Sequence, residues 1–208
     1  MFLLGSCRIW KATNKNGCTD TDSVIQAHYS HEIHQIINWL SQSKVLTEKE
    51  QKSFRKPMTA ENWEKCIASF KSAQFVLVEI SSIKISEYNG VYCNLLNAHP
   101  SVVSTGDVVA REVDLIDKLL VSMGKIPIYF CHVNVYSDKH NGLIYNRTCI
   151  QEMFKKKPSL NFIDPSAVVS EHGKIKCLVN NGKGYDHNHY TEFMEDLIFR
   201  QIKNITLN

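Results

Sequence analysis

Apolar residues in this chain follow two patterns: short unbroken runs, and longer stretches in which they recur three and four positions apart. Phe2-Leu3-Leu4 is the first run and leads straight into Gly5-Ser6-Cys7. Phe75-Val76-Leu77-Val78-Glu79-Ile80 is the second, β-rich and of the kind buried on both faces. Ile126-Pro127-Ile128-Tyr129-Phe130-Cys131 is the third, with its proline near the start, where a missing N–H is tolerated. Asn161 to Asp164 reads as a further strand. Ile175 to Val179 reads as another, paired with Val168-Val169 across a turn at His172-Gly173.

Helical spacing fills the intervals. Ile33, Ile36, Ile37 and Leu40 share one face of a helix that Ser30 is placed to cap. Trp63, Cys66, Ile67 and Phe70 mark a second. Val109, Val113, Ile116 and Leu120 mark a third, opened by Asp107 and closed by Gly124. Ile150, Met153 and Phe154 face inward on a fourth, which the Lys155–Lys157 run ends before Pro158, its cations at the negative end of the helix. Phe193, Leu197, Ile198 and Ile202 form a C-terminal helix. Strands alternating with helices predict an α/β fold, a three-layer α/β/α sandwich around a central parallel sheet. Residues 11–28 and 84–105 look irregular. Both follow strand C-terminal ends, the edge at which open α/β sheets bind ligands.

Neither a repeat nor an interdomain linker interrupts the chain, and 208 residues make one sizeable domain over 1–208, on its own or within a longer protein. A net charge of +3, from 24 basic and 21 acidic residues, is too balanced to indicate a nucleic-acid partner. The seven cysteines are scattered without a CxxC pair, which suggests free thiols in a reducing compartment and hence a cytoplasmic protein. Met1 to Cys7 superficially resembles a lipoprotein box but lacks the basic and apolar regions of a signal peptide. No run approaches the roughly 18 apolar residues of a membrane span, so no membrane partner is expected. Asn146-Arg147-Thr148 and Asn204-Ile205-Thr206 match glycosylation sequons, which carry little meaning without a secretory signal.

Candidate chemistry concentrates at the two ends of the chain. A strand that stops at Gly5 and is followed by Ser6 and Cys7 would lift a nucleophile above the sheet edge, with the next amides aimed at a developing oxyanion. The same tripeptide also serves as an ordinary turn over a buried thiol. In Asp186-His187-Asn188-His189, a carboxylate three residues before a histidine, on a turn into a helix, could orient one ring nitrogen and leave the other to deprotonate a nucleophile. A turn cap beside solvated histidines is the plainer alternative.

Together these segments resemble the SGNH (GDSL-like) hydrolase superfamily, in which the nucleophile follows the first strand in a Gly-x-Ser turn and a late Asp-x-x-His supplies the rest of the triad. The resemblance is closest to the branch opening Gly-Ser-Cys-Arg or Gly-Ser-Cys-Phe, some members of which are acetyltransferase-like proteins of polysaccharide synthesis. His28-Tyr29-Ser30, Val78-Glu79-Ile80-Ser81-Ser82 and His189-Tyr190-Thr191 look like that branch too. It implies an SGNH-like, flavodoxin-like fold and a Cys7 or Ser6, His189, Asp186 site. The implied reaction is acetyl transfer from acetyl-CoA to a sugar or nucleotide-sugar hydroxyl or amine, with an esterase acting on carbohydrate or lipid esters as the alternative.

The chain departs from the superfamily at two places. The Gly-x-Asn-Asp block that supplies an oxyanion-hole Asn is absent, and Glu79-Ile80-Ser81-Ser82 stands at the matching strand end, where a serine hydroxyl could donate instead. Alignment on Gly-x-Ser puts Cys7 at the nucleophile position, with Ser6 possible if the turn is offset by one. A cysteine would form a thioester close in energy to acyl-CoA, which tilts the chemistry from hydrolysis towards transfer. Arg8 could hold a phosphate of CoA or of a nucleotide-sugar. His132 and Asn134 follow the third strand at the expected ligand edge, and Lys84, Arg147 and Tyr190 are further polar candidates for substrate contact. His28, His31 and His34 sit three apart but lack a supporting zinc pattern, so no metal is expected.

Overall fold

The computed structural model describes residues 1–93, 102–134, 141–182 and 184–207; of Cys7, residues 141–144, His187 and Asn188 it describes the backbone alone. The elements run β1 Phe2–Leu4, α1 Cys7–Asn14, β2 Val24–Ile25, α2 Ser30–Ser41, α3 Glu48–Ser53, α4 Ala60–Ser72 and β3 Phe75–Glu79. Four short strands follow, β4 Lys84–Ile85, β5 Glu87–Tyr88, β6 Val91–Tyr92 and β7 Val102–Val103. The chain continues as α5 Gly106–Ser122, β8 Ile126–Phe130, α6 Asn141–Lys155 and β9 Phe162–Ile163. It ends with α7 Pro165–His172, α8 Lys174–Cys177, β10 Leu178–Asn180, β11 Tyr185–Tyr190 and α9 Glu192–Leu207.

The fold is α/β, and its central sheet has five parallel strands in the order β2-β1-β3-β8-β9. Successive strand residues point to opposite faces, and both faces are covered. Phe2, Leu4, Val76, Val78 and Tyr129 pack under apolar residues of α2, α4, α5 and α6. Leu3, Leu77, Ile128 and Phe130 pack under residues of α1, α7 and α9. A one-residue slip of β1 would exchange these sets, so burial on both sides leaves the register little freedom. Among the described residues no helix is long and apolar enough to cross a membrane.

Several expectations are corrected. Residues 11–28 are not wholly irregular: α1 extends to Asn14, a single 3-10 turn covers Thr21–Ser23, and β2 forms the edge strand beside β1. Val168 and Val169 do not pair with a strand. Asp164 caps α7 by accepting the Ser166 N–H, Pro165 opens the helix, and Gly173 ends it at φ 84°. Ile175 then lies on α8, 79% exposed, and the following strand β10 pairs antiparallel with β11. Residues 84–93 form β4, which pairs with β7, and a β5–β6 hairpin whose Asn89-Gly90 turn has both φ values positive, 51° and 78°. Tyr29, not Ser30, is the N-cap position of α2, where the Glu32 carboxylate accepts the Tyr29 N–H. Thr105, not Asp107, caps α5.

One feature of the sheet positions the site. β1 ends at Leu4, whereas the chains following its two neighbours continue past it and join. Ser81 N–H donates to the His28 carbonyl at 3.1 Å, and Tyr29 bridges Ser82 in parallel. Since the chain leaves β1 towards β2 on one side and reaches β3 on the other, this crevice is the switch point of the strand order, where doubly wound sheets bind ligands.

Candidate active site

Gly5 is required where β1 turns into α1, because a Cβ there would meet Glu79 Cβ at 2.8 Å and Glu79 Oε2 at 2.9 Å. Ser6 is the N-cap of α1. Its Oγ accepts the Arg8 N–H and an Arg8 guanidinium N–H, both at 3.3 Å, while its own N–H donates to Glu79 Oε2 at 2.5 Å. The Ser6 hydroxyl is therefore spent on the helix end. Cys7 takes the first helical position of α1.

Glu79, noted in the sequence only as part of a strand end, is the hub beneath this turn. Its side chain is 1% exposed and accepts from His132 Nε2 at 2.7 Å and from Arg8 Nη1 at 3.4 Å. Burial pushes the carboxyl upward, yet His132, Arg8 and His28 outweigh it and hold the group well below the usual carboxylate range. A charged His132 would stabilise the anion further, but desolvation wins at that ring. Burial, with Arg8 and Arg147 adding to it, lowers His132 to about 4 against the pull of Glu79. The pair is thus an anion beside a neutral imidazole, with Arg8 as the compensating cation. Arg8 Nη1 meets the ring at both nitrogens, and Arg147 Nη2 lies 3.3 Å from Nδ1. A phosphate at Arg8 would have to compete with Glu79 for the guanidinium. The signal available in the sequence was a lone carboxylate closing an otherwise apolar strand.

Asp186 and His189 meet at 2.7 Å, Oδ2 to Nδ1, but on the strand β11, not on a turn into a helix. On a regular strand, residues three apart point to opposite faces and lie roughly 10 Å apart. Here β11 is bulged: Leu178 pairs with Tyr190, while the next residue, Val179, pairs with Asp186. The extra length between the paired positions folds His189 back onto Asp186. The β11 strand packs against α1, the helix that opens with Cys7. The His189 side chain is 48% exposed and that of Asp186 22%.

The remaining candidates divide between the crevice and its surroundings. His28 is buried, its Nε2 lies 2.8 Å from Arg55 Nη1, and its ring stands edge-on to His132. Ser81 Oγ donates to the His28 carbonyl at 3.3 Å, and Ser82 Oγ accepts the Lys84 N–H at 3.2 Å, so both serine hydroxyls are turned to local backbone. Lys84 lies half-buried on β4. Asn134 bonds Ser166, Thr148 and Gln151, and Arg147 donates to the Val133 carbonyl at 2.6 Å. Tyr190 is buried, its hydroxyl without a hydrogen-bond partner among the described residues, and burial pushes the phenol upward. Of the histidine triplet, His31 and His34 both turn to Glu112, away from His28; no metal-binding group of three occurs among the described residues. A cavity of about 410 Å³ runs along the free edge of β2, lined by Trp10, Asp22, Ile25, Phe54, Lys56 and Asn62 among others.

No family model matches the chain, and no curated protein matches it.

Proposed function

We propose that this chain is an SGNH-type acyltransferase that moves an acetyl group from acetyl-CoA to a hydroxyl or amine of a sugar or nucleotide-sugar. The observation that carries this reading is the 2.7 Å Asp186–His189 pair on a bulged strand packed beside α1, the helix whose first residue is Cys7. With Asp186 on Nδ1, His189 Nε2 is left to take the Cys7 proton. The thiolate then attacks the acetyl carbonyl, a C–S bond forms, and collapse of the tetrahedral adduct expels CoA thiolate, which receives the proton back. The acyl-Cys thioester keeps its transfer potential, and an acceptor hydroxyl or amine, deprotonated by His189, releases Cys7. The cavity along β2 is large enough for a sugar ring, and its lining mixes aromatic, amide and charged groups of the sort that hold one. A reactive thiol and acetyl-CoA coexist in the cytoplasm, which is where the reading places the protein.

Ester hydrolysis is the second reading, and the half-exposed His189 favours it, because water reaches an open dyad easily. One assay separates the two. Thiol release from acetyl-CoA that depends on an added aminosugar or sugar nucleotide supports transfer. Hydrolysis of a simple activated acetate ester without any acceptor supports the esterase. Ligand protection without turnover would overturn both.

A further inference from the structure

Acyl transfer needs donors for the oxygen that becomes negative, and two of the donors expected at this edge are engaged elsewhere. Ser6 N–H donates to Glu79 Oε2 and Ser81 Oγ donates to the His28 carbonyl. One side chain at the crevice is differently placed. His28 follows β2 and joins β3's continuation across the end of β1, through its own carbonyl and the Tyr29–Ser82 bridge. Its ring stands edge-on to His132, whose partner Glu79 also holds the Ser6 N–H at the turn into α1.

The hydrogen bonding of the His28 ring fixes its tautomer. Arginine has only donors, so Nε2, 2.8 Å from Arg55 Nη1, must accept. Burial first, and then Arg55 and Arg8 against the pull of Glu79, lowers the imidazole to about 4, so it is neutral near pH 7. A neutral ring that accepts at Nε2 carries its proton at Nδ1. That Nδ1 is buried without a hydrogen-bond partner, on a residue only 7% exposed. An unmet buried donor is costly, and such groups in folded proteins mark a strained or functional place.

We propose that His28 Nδ1–H is an oxyanion donor of this site, fixed by Arg55 and filling the place of the asparagine that the chain lacks. The assignment rests on the acyl-transfer reading above. As Cys7 Sγ adds to the acetyl carbon, the carbonyl π pair moves onto oxygen, and Nδ1–H donates to that oxygen until the C=O re-forms and the thiol leaves. His28 makes this bond more strongly in the transition state than in the ground state, so it acts on kcat. Arg55 is the positioning residue, because without it Nε2 can take the proton and leave Nδ1 as an acceptor.

The test is the acylation half-reaction, followed as the nitrophenolate burst from p-nitrophenyl acetate and as thiol release from acetyl-CoA. His28→Ala should lower the acylation rate by on the order of 10²- to 10³-fold with KM little changed. His28→Asn, whose amide N–H can stand where Nδ1–H stood, should recover at least tenfold of that loss. Arg55→Met should lower the rate less than His28→Ala, and ¹⁵N NMR of the ring should show the Nδ1–H tautomer in the wild type and its loss in Arg55→Met. Equal losses in His28→Ala and His28→Asn, or a wild-type ring protonated at Nε2 instead, would overturn the assignment. An active wild type beside an unchanged His28→Ala would overturn it while leaving acyl transfer intact. A folded wild type that neither bursts nor releases thiol would overturn acyl transfer and this assignment together.

Discussion

Two carboxylate–histidine pairs in this protein have the same length and opposite surroundings. Glu79 and His132 meet at 2.7 Å with side chains 1% and 8% exposed, and Asp186 and His189 meet at 2.7 Å with side chains 22% and 48% exposed. Burial gives the first pair a structural role. The ring is driven neutral, and the anion is held by Arg8 and the Ser6 amide at the turn. Exposure gives the second pair its chemical opportunity, since solvent or a substrate can reach the ring nitrogen that Asp186 does not hold. Equal hydrogen-bond lengths therefore say little about role; the dielectric and the accessibility around each pair decide it.

The contrast breaks most sharply at His189. His189→Ala should lower turnover by on the order of 10³-fold or more with circular dichroism unchanged, and Cys7→Ala should match it, because the proposed mechanism makes both members of one reacting unit. A loss confined to KM would assign His189 to binding instead. Glu79→Ala should act on stability: removing the buried carboxylate takes away the acceptor of the Ser6 N–H and the anion facing Arg8, and costs about 3–5 kcal/mol in denaturant unfolding. A change below 1 kcal/mol would mean that the cluster does not hold the turn.

Acidification sharpens the same comparison. His28 and His132 titrate near 4 when folded and at the ordinary histidine value when unfolded, so the unfolded chain binds more protons as pH falls. Their contribution is fully present above about pH 6.5 and is lost progressively down to about 4. The depressed Glu79 adds its own loss as pH falls below the ordinary carboxylate range. Between pH 7 and pH 4.5 the melting temperature should drop by roughly 10 °C in the wild type, and His132→Gln should flatten the slope.

Asp186→Asn tests the exposed pair more gently. It should cost roughly tenfold to a hundredfold in turnover, less than a buried orienting carboxylate, because water can replace part of the hydrogen bond. The smallest effect is expected at Ser6. Ser6→Ala removes an N-cap and should cost about 1 kcal/mol of stability, with turnover within about tenfold of wild type. A loss at Ser6 equal to that at Cys7 would move the nucleophile to the serine.

Much of the scaffold was legible in the residues alone, because local periodicity and caps carry it. The runs at Phe2–Leu4, Phe75–Glu79 and Ile126–Phe130 are strands of one parallel sheet, and the spaced apolar residues from Ile33 to Leu40 and from Val109 to Leu120 lie on helices. The two-residue strand β2 was not legible, since a pair such as Val24-Ile25 carries no period. The Asn89-Gly90 turn of the β5–β6 hairpin is legible in the residues, since that dipeptide tolerates the two positive φ values the turn needs.

The sequence by itself determined the layered α/β plan, because burial on both faces of a sheet imposes a pattern that neighbouring residues reveal. It also placed the Gly5-Ser6-Cys7 turn after the first strand and Asp186 three residues before His189. Only the tertiary structure decided how those residues are used. Glu79 reaches Arg8 across 71 positions and His132 reaches Arg8 across 124, distances over which no local pattern announces a partner. Likewise, a bulge set by the pairing of β10 with β11 brings His189 onto Asp186, where the bare spacing suggested a turn into a helix. Strand and helix propensities are properties of nearby residues; a buried charge acquires its partner, its protonation state and its role only when the chain has closed around it.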